Sequence, residues 1–483
     1  QASCIDASAG NYVDTTGGTY QTACAPGSYQ PNTGQSSCID ASTGYYVANS
    51  SYYGINYDSH NIATGYWHTC VILDNGSVSC WGRNLYGQLG TGNTSDEETP
   101  TQTASLGAGR TAVAITAGNY HTCVLLDNGS VACWGLNNYG QLGNGNQSYH
   151  PNNQLTPTLT SSFGVGRTAI AISAGGHHSC ALLDDGSVSC WGKNIQGQIG
   201  DGTSENNRLT PTQTTSLGQG RTAIAISVGE MHSCALLDNG TVSCWGDNNI
   251  GQIGNGDTDQ GNNNAPTDNP TQIIGPGNNR TVVAIDAGQY HTCAILDDGS
   301  VSCWGDNDDG QLGDGTQTNR NVSTPTSSLG VNRTAVAISA GSSLTCAILD
   351  DGSVSCWGAN NYGQLGDGTT SKKSNPTPTS SLGANRTAAA ISSGSDHTCA
   401  ILDNGSVSCW GYNANGRLGD GTQNDRLTPT QTSSLGNGRS AAIATTFYEH
   451  TGQTSQTPCG VGTYQPSTGQ SSCIDASAGY YVA

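Results

Sequence analysis

One phrase, His121-Thr122-Cys123-Val124-Leu125-Leu126-Asp127-Asn128-Gly129-Ser130-Val131-Ala132-Cys133-Trp134-Gly135, recurs along most of the chain. Its copies carry Trp81, Trp134, Trp191, Trp245, Trp304, Trp357 and Trp410, spaced 53 to 59 residues apart. That period is too long for a single hairpin and right for a four-stranded propeller blade, a unit that buries its apolar faces only against its neighbours. Seven copies predict an all-β, seven-bladed propeller. The 68 Gly, two Phe and one Met agree, because they suit short strands joined by turns and not helices packed on apolar stripes.

Within each copy two β-type stretches flank Asp-Asn-Gly or Asp-Asp-Gly, which suits a three-residue turn with Gly in the left-handed position. Counting outward from Asp74-Asn75-Gly76, Leu73 faces Ser77, Ile72 faces Val78, Val71 faces Ser79 and Cys70 meets Cys80. Directly opposed strand residues bring their Cβ atoms within disulfide range. Seven bridges are therefore expected: Cys70–Cys80, Cys123–Cys133, Cys180–Cys190, Cys234–Cys244, Cys293–Cys303, Cys346–Cys356 and Cys399–Cys409. Zinc sites gather cysteine pairs two to four residues apart into groups of four, whereas these pairs are ten apart in separate blades, so no metal is expected.

A second phrase, Ser-Leu-Gly-x-x-Arg-Thr-Ala-x-Ala-Ile, is anchored by Arg110, Arg167, Arg221, Arg280, Arg333, Arg386 and Arg439 and reads as a further strand. The first hairpin has no such strand before it and the last strand has no hairpin after it. Ring closure resolves the offset, with Arg439 to Ala444 completing the blade that Trp67 to Gly82 begins and covering otherwise unpaired sheet edges.

These residues carry a family likeness. Gly-x-x-His-Thr-Cys-x-Leu-Asp-x-Gly-x-Val-x-Cys-Trp-Gly-x-Asn-x-x-Gly-Gln-Leu-Gly resembles the regulator-of-chromosome-condensation repeat over about residues 61 to 446. The resemblance implies a seven-bladed propeller used for protein binding in unrelated settings. The paired cysteines depart from the intracellular members.

The ends repeat as well. Cys24-Ala-Pro-Gly-Ser-Tyr-Gln-Pro-Asn-Thr-Gly-Gln-Ser-Ser-Cys38 is nearly copied by Cys459-Gly-Val-Gly-Thr-Tyr-Gln-Pro-Ser-Thr-Gly-Gln-Ser-Ser-Cys473, and both resemble small cysteine-rich repeats of ephrin receptors or tumour-necrosis-factor receptors. The phrase after Cys4, Ile-Asp-Ala-Ser-Ala-Gly-Asn-Tyr-Val, returns after Cys38 and Cys473. Between Cys4 and Cys24 lie 20 residue steps, but between the corresponding Cys38 and Cys459 lie 421, so about 401 residues sit inside one repeat, between Asn49 and His450. This reading gives a stalk at 1–49, a propeller at 50–450 and a returning stalk at 451–483. Pairing Cys24 with Cys38 and Cys459 with Cys473 leaves Cys4 with a partner upstream of Gln1, an intermolecular partner or none.

Candidate chemistry is sparse. Residues repeated seven times in register are architectural by default, because a catalytic site uses one constellation once. His68, His121, His178, His232, His291 and His397 are expected to make structural hydrogen bonds, with Leu344 in the sixth position. His178, Ser179 and Asp184 superficially suggest a hydrolase set, yet hydroxyl and imidazole are adjacent on one strand and point to opposite faces. Asp201, Asp314, Asp367 and Asp420 read as turn residues and not calcium ligands. Asn75, Asn128, Asn239 and Asn404, with Asn279, Asn332 and Asn385, match the glycosylation acceptor pattern. Departures from repetition are candidate binding positions: the loop Asp257 to Pro270, the loop Ser148 to Gln154, Lys372-Lys373, and Arg417 where other copies have Gln.

Net charge of −20 repels nucleic-acid phosphates and anionic lipids alike, and no apolar run approaches the roughly 20 residues of a membrane helix. Nineteen cysteines favour an oxidising, extracellular or cell-surface setting. The expectation is a non-enzymatic structural or adhesive module without cofactor, whose partners are proteins, glycans or copies of itself through the stalk repeats. A secreted binder or inhibitor is the alternative. Guanine nucleotide exchange, implied by the family likeness alone, is opposed by the acidity and the cysteines.

Overall fold

The computed structural model describes residues 61–258, 267–275, 280–436 and 438–443, together with eight two-residue strands in the flanking segments. By its internal contacts the chain divides into two units, Gly54–Ile443 and a second formed by Gln1–Tyr53 with Ala444–Ala483.

The first unit holds seven four-stranded antiparallel sheets, each of four strands in chain order. Blade 1 spans Ile62 to Gln102, blade 2 Ala112 to Leu159, blade 3 Ala169 to Gln213, blade 4 Ala223 to Gln272, blade 5 Val282 to Pro325, blade 6 Ala335 to Pro378 and blade 7 Ala388 to Gln431. Their two middle strands, such as His121–Leu126 and Val131–Gly135, are buried throughout. The outermost strands, such as Arg208–Gln213, are half-exposed and rich in Thr and Pro, which suits an edge that must not recruit another strand.

The hairpin joining the middle strands sets the register. In blade 1, Ile72 opposes Val78, Val71 opposes Ser79 and Cys70 opposes Cys80, while the Leu73 N–H donates to the Ser77 carbonyl at 2.8 Å. Gly76 closes the turn at φ +76°, a conformation a side chain would strain. All seven cysteine pairs are disulfide-bonded, each with a sequence separation of 10. Each bridge spans two buried strands inside its own blade and adds no link between blades.

Blades pack through the tryptophan of the third strand. Trp134 is fully buried against blade 1, where Gly90 adopts φ +70° and a Cβ would stand 2.7 Å from the indole nitrogen. The Gly of Gln-Leu-Gly is therefore the floor on which the next blade's indole lies.

Ring closure differs in one respect from the sequence expectation. Blade 1 has an inner strand of its own, Ile62–Thr64, paired with Val71, Cys70 and Thr69. It lacks the Arg-Thr-Ala signature, because only the last three strand residues come from the N-terminal side. The remainder comes from the chain's other end: Ala441 bridges Leu73, the Asp74 N–H donates to the Ser440 carbonyl at 3.0 Å and the Ala442 N–H donates to the Ile72 carbonyl at 2.9 Å. Two segments nearly four hundred residues apart make one strand. Its last part, Ile62-Ala-Thr-Gly65, matches Ile115-Thr-Ala-Gly118 in sequence.

In the second unit four two-stranded pairings are defined. Asn11–Tyr12 pairs with Thr22–Ala23, with Asn11 opposite Ala23 and Tyr12 opposite Thr22. Tyr45–Tyr46 pairs with Thr457–Pro458, with Tyr45 opposite Pro458 and Tyr46 opposite Thr457. Ser28–Tyr29 pairs with Ile39–Asp40, and Thr463–Tyr464 pairs with Ile474–Asp475. Cys4, Cys24, Cys38, Cys459 and Cys473 lie outside the described residues.

Candidate functional site

A buried belt of polar groups joins the blades. His68 of blade 1 meets the Thr122 hydroxyl of blade 2 at 2.9 Å, and Thr122 donates to the Gln88 carbonyl of blade 1 at 2.8 Å. Since a carbonyl only accepts, the hydroxyl proton is committed, and the His68 Nε2 must carry the proton it shares with Thr122. The indole N–H of Trp134 donates to the same Gln88 carbonyl at 2.8 Å. The motif repeats as His121 with Ser179, His178 with Ser233, His232 with Thr292, His291 with Thr345 and His397 with Thr69.

Burial in this belt holds the imidazoles neutral. Desolvation lowers His68, His121 and His291 to about 3 and His232 to about 4, and takes His178 and His397 well below the ordinary range. Their Nδ1 atoms are buried without a partner. Ser179 does contact a histidine, but it is His121 of the neighbouring blade, both are buried, and its proton goes to the Gln141 carbonyl at 3.1 Å. Asp184 sits at the exposed hairpin tip, paired with Arg167. The three residues suggestive of a hydrolase are thus not brought together.

The seam between blades 6 and 7 is the exception. Leu344 replaces the histidine, and the Trp410 indole nitrogen is buried with no acceptor. Thr398 still donates to the Gln364 carbonyl at 2.9 Å.

Charge follows a rule of its own. The chain has fifteen Lys and Arg, all within the propeller. Seven of them, Arg110, Arg167, Arg221, Arg280, Arg333, Arg386 and Arg439, pair with the first aspartate of a hairpin turn, Arg439 crossing to Asp74 of blade 1. Four more, Arg208, Arg320, Lys373 and Arg426, pair with Asp201, Asp314, Asp367 and Asp420. Lys372 pairs with Asp309. Among the described residues only Arg83, Lys193 and Arg417 have no carboxylate partner, and each lies over an aromatic ring: Arg83 over Trp67 at 4.2 Å, Lys193 over Tyr139 at 5.2 Å and Arg417 over Tyr412 at 4.5 Å.

All three stand on one face, where the loops between first and second strands meet those between third and fourth. Rings continue between them. Trp67 and Tyr66 contact Tyr120 at 5.6 and 6.1 Å, Tyr120 contacts Tyr86 at 5.2 Å and His177 at 6.1 Å, and His177 contacts Tyr139 at 5.2 Å. His150, from the loop Ser148 to Gln154, joins through Tyr86 at 5.9 Å. On the other flank Tyr412 packs on Tyr362 at 4.3 Å. Arg417 is 1% exposed, and it reaches the Tyr66 carbonyl at 3.4 Å. Burial lowers its pKa to about 10, so it stays charged at neutral pH. Burial first, then Lys193, lowers His177 to about 4.

Toward blades 4 and 5 the sign of the charge reverses. Blades 4 and 5 present Glu230, Asp247, Asp306, Asp308 and Asp309. Both carboxylate oxygens of Glu230 accept from the Asn119 Nδ2, at 3.1 and 2.8 Å, and Gly176 makes room, since a Cβ there would stand 2.5 Å from the Glu230 carboxyl carbon. Burial raises the Glu230 carboxyl above the usual range. Deeper in the channel, Thr116, Ser173, Ser227, Asp286, Ser339 and Ser392 each accept a backbone N–H from a neighbouring blade, between 2.7 and 3.1 Å.

Of the residues singled out by sequence, Asn75, Asn128, Asn239 and Asn404 are at exposed hairpin tips, and Asn332 and Asn385 are exposed with φ +56° and +57°. Asn279 and residues 259–266 of the long loop lie outside the described residues. At each Asn-Gly tip the asparagine Oδ1 accepts from the Ser or Thr two residues on, as Asn75 does from Ser77, and Asp185, Asp298 and Asp351 do the same. Asp314 takes the Thr316 N–H and pairs with Arg320, which is turn chemistry. Among the described residues no three His, Cys, Asp or Glu side chains are grouped to hold a metal.

Sequence reasoning passed over the aromatic arc. Its signal was the column preceding the histidine, Trp67, Tyr120, His177, Met231, Tyr290, Ser343 and Asp396, which varies while its neighbours do not. Trp67 is also the one tryptophan outside the repeat phrase.

The geometry defines a closed seven-bladed β-propeller with disulfide-stapled blades, a hydrogen-bonded belt and one chemically varied face. The family model for the RCC1-like domain matches residues 109–451, and the regulator of chromosome condensation (RCC1) repeat matches 75–125 and 60–88. This chain belongs to the RCC1-repeat family. It is 30% identical over 371 residues to the ultraviolet-B receptor UVR8 of Arabidopsis thaliana, covering 76% of this chain and 80% of that one. It is also 30% identical over 333 residues to the E3 ubiquitin-protein ligase HERC2 of Homo sapiens, covering 68% of this chain and only 7% of that protein. Among solved structures, yeast RCC1 (Prp20) bound to Kap60 superposes with a TM-score of 0.67 at 21% identity, over 80% of this chain and 87% of that one. Human WBSCR16 gives 0.64 at 22% identity, over 73% and 93%.

Proposed function

We propose that this chain is a non-enzymatic extracellular structural or adhesive module, one unit of a cell-surface stalk or filament, in which the propeller is an insertion within a cysteine-rich repeat. The observation that carries this reading is a register. Tyr45–Tyr46 and Thr457–Pro458 occupy the repeat positions of Asn11–Tyr12 and Thr22–Ala23, and the two pairs meet residue for residue in the same way. The next pairing, Ser28–Tyr29 with Ile39–Asp40, recurs at Thr463–Tyr464 with Ile474–Asp475. Inserting a closed ring leaves the host repeat able to pair across it, because the ring's entry at Asn61 and exit at Ala442 are joined by a side-chain bond of 3.0 Å.

Seven buried disulfides support an oxidising compartment. The named relatives include a light receptor and a ubiquitin ligase, so the propeller is a shared scaffold and its task is set by what it carries. A second reading, a soluble propeller that grips a protein, is favoured by the aromatic arc. Exchange-factor activity is opposed by the charge of −20, which disfavours chromatin.

Electron microscopy of non-reduced material, with intact mass before and after reduction, separates these readings. Long assemblies bearing propeller-sized beads, with every propeller cysteine oxidised, are the expected result. Discrete single particles with free thiols would overturn it.

A further inference from the structure

The three cations without carboxylate partners sit together on the ring-lined arc, in a chain with 35 acidic residues. We propose that this arc is a docking surface for an acidic segment of polypeptide. The inference stands on the propeller alone and is independent of the stalk.

Everywhere else the molecule neutralises its cations with its own aspartates. At the arc Arg83 and Lys193 stand on rings, which fix a guanidinium or ammonium in position without cancelling its charge, whereas Arg417 is buried with Asp396 and Asp425 nearby and offers no charge at the surface. Arg83 and Arg417 flank Tyr66 and Trp67 at the seam of blades 7 and 1, and Lys193 closes the far end at blade 3. Between them the half-buried rings of Tyr66, Tyr120 and Tyr86 offer apolar area at little cost in side-chain entropy. Trp, Tyr and Arg are the residue types in which protein-binding energy concentrates.

Charge also selects the path of the ligand. An acidic segment is repelled by Asp306 and Asp308 on blade 5 and by Asp396 on blade 7 and attracted to Arg83 and Lys193, so it is held along blades 1 to 3. The columns that build the arc are the variable ones within the repeat, so chemistry was placed there without disturbing the belt beneath.

The test uses the full chain and a fluorescent random copolymer of glutamate and tyrosine, with polygalacturonate as the carbohydrate probe. Fluorescence anisotropy should show saturable copolymer binding that falls at least about tenfold in R83A/K193A. It should change less than about twofold in R110A/R167A, which removes the same charge from hairpin tips. Thermal melting of both variants checks that the fold persists. Equal loss in both double variants reduces the effect to net charge and overturns the proposal. Absence of copolymer binding overturns it too, as does tighter binding of polygalacturonate that depends on Arg83 and Lys193.

Discussion

At the position of His68 six blades carry histidine and one carries leucine, all of them buried; one residue earlier the same loops carry Trp67, Tyr120, His177, Met231, Tyr290, Ser343 and Asp396 at the channel rim. Adjacent columns of one repeat therefore obey opposite rules. A buried histidine in the belt must satisfy the Thr or Ser of the next blade, and that geometry recurs at six of the seven seams. A rim side chain has solvent above it and only needs to leave the loop intact. Identity in one column is what permits variety in the next.

The belt is most exposed to attack by acid. Its histidines stay neutral when folded, with pKa values of about 3 for His68, His121 and His291 and about 4 for His232, whereas the unfolded chain takes up protons through 6.5. The unfolded state then binds more protons, so stability falls as pH drops below 6.5, at about 1.4 kcal/mol per histidine per pH unit. Together the six remove on the order of 10 kcal/mol over one to two units. Glu230, Asp247 and Asp306, raised by burial, oppose this in the lower part of the window. Guanidinium unfolding at pH 7.5, 6 and 4.5 without reductant should show a steep decline. A flat profile would mean that the belt opens to solvent.

A smaller effect sharpens the comparison between seams. Thr122→Val removes the acceptor of His68 and a donor to Gln88, leaving buried groups unpaired, and should cost about 1–3 kcal/mol. Thr398→Val, opposite Leu344, breaks one bond instead of two but leaves the Gln364 carbonyl without the indole donor that Gln88 keeps, and should cost about 1–2 kcal/mol, below Thr122→Val. Equal losses in unfolding free energy would show that the histidine contact contributes nothing.

The belt and the blades were legible because repetition in sequence is repetition in environment. The turn residues Asp74-Asn75-Gly76 fix the register, and the register alone puts Cys70 opposite Cys80. The short strand Ile62–Thr64 escaped although Ile62-Ala-Thr-Gly65 matches Ile115-Thr-Ala-Gly118, because the rest of that strand, with the Arg-Thr-Ala type of signal, is supplied from Ser440–Ala442 at the other end of the chain. The arc escaped for a different reason. Trp67, Tyr120, His177 and Lys193 lie on three blades, and only the ring geometry makes them neighbours.

Leu344 offers the finest way to separate hydrogen bonding from titration. Gly341 beneath it is the counterpart of Gly118 beneath His121, a Cβ on either standing within 2.6 Å of the overlying side chain, so the site has the same floor. In Leu344→His the new Nε2–H meets the Thr398 hydroxyl, while apolar burial is lost and an unpartnered Nδ1 is added. At pH 7.5 these offset, and unfolding free energy should shift by no more than about 1 kcal/mol. At pH 4.5 the added imidazole resists protonation like the other six, so the variant should fall below the parent by a further ~2–3 kcal/mol. His121→Leu should move the pH dependence the other way, flattening it by one histidine. If both variants leave the slope unchanged, burial of the imidazoles is not the source of the acid sensitivity.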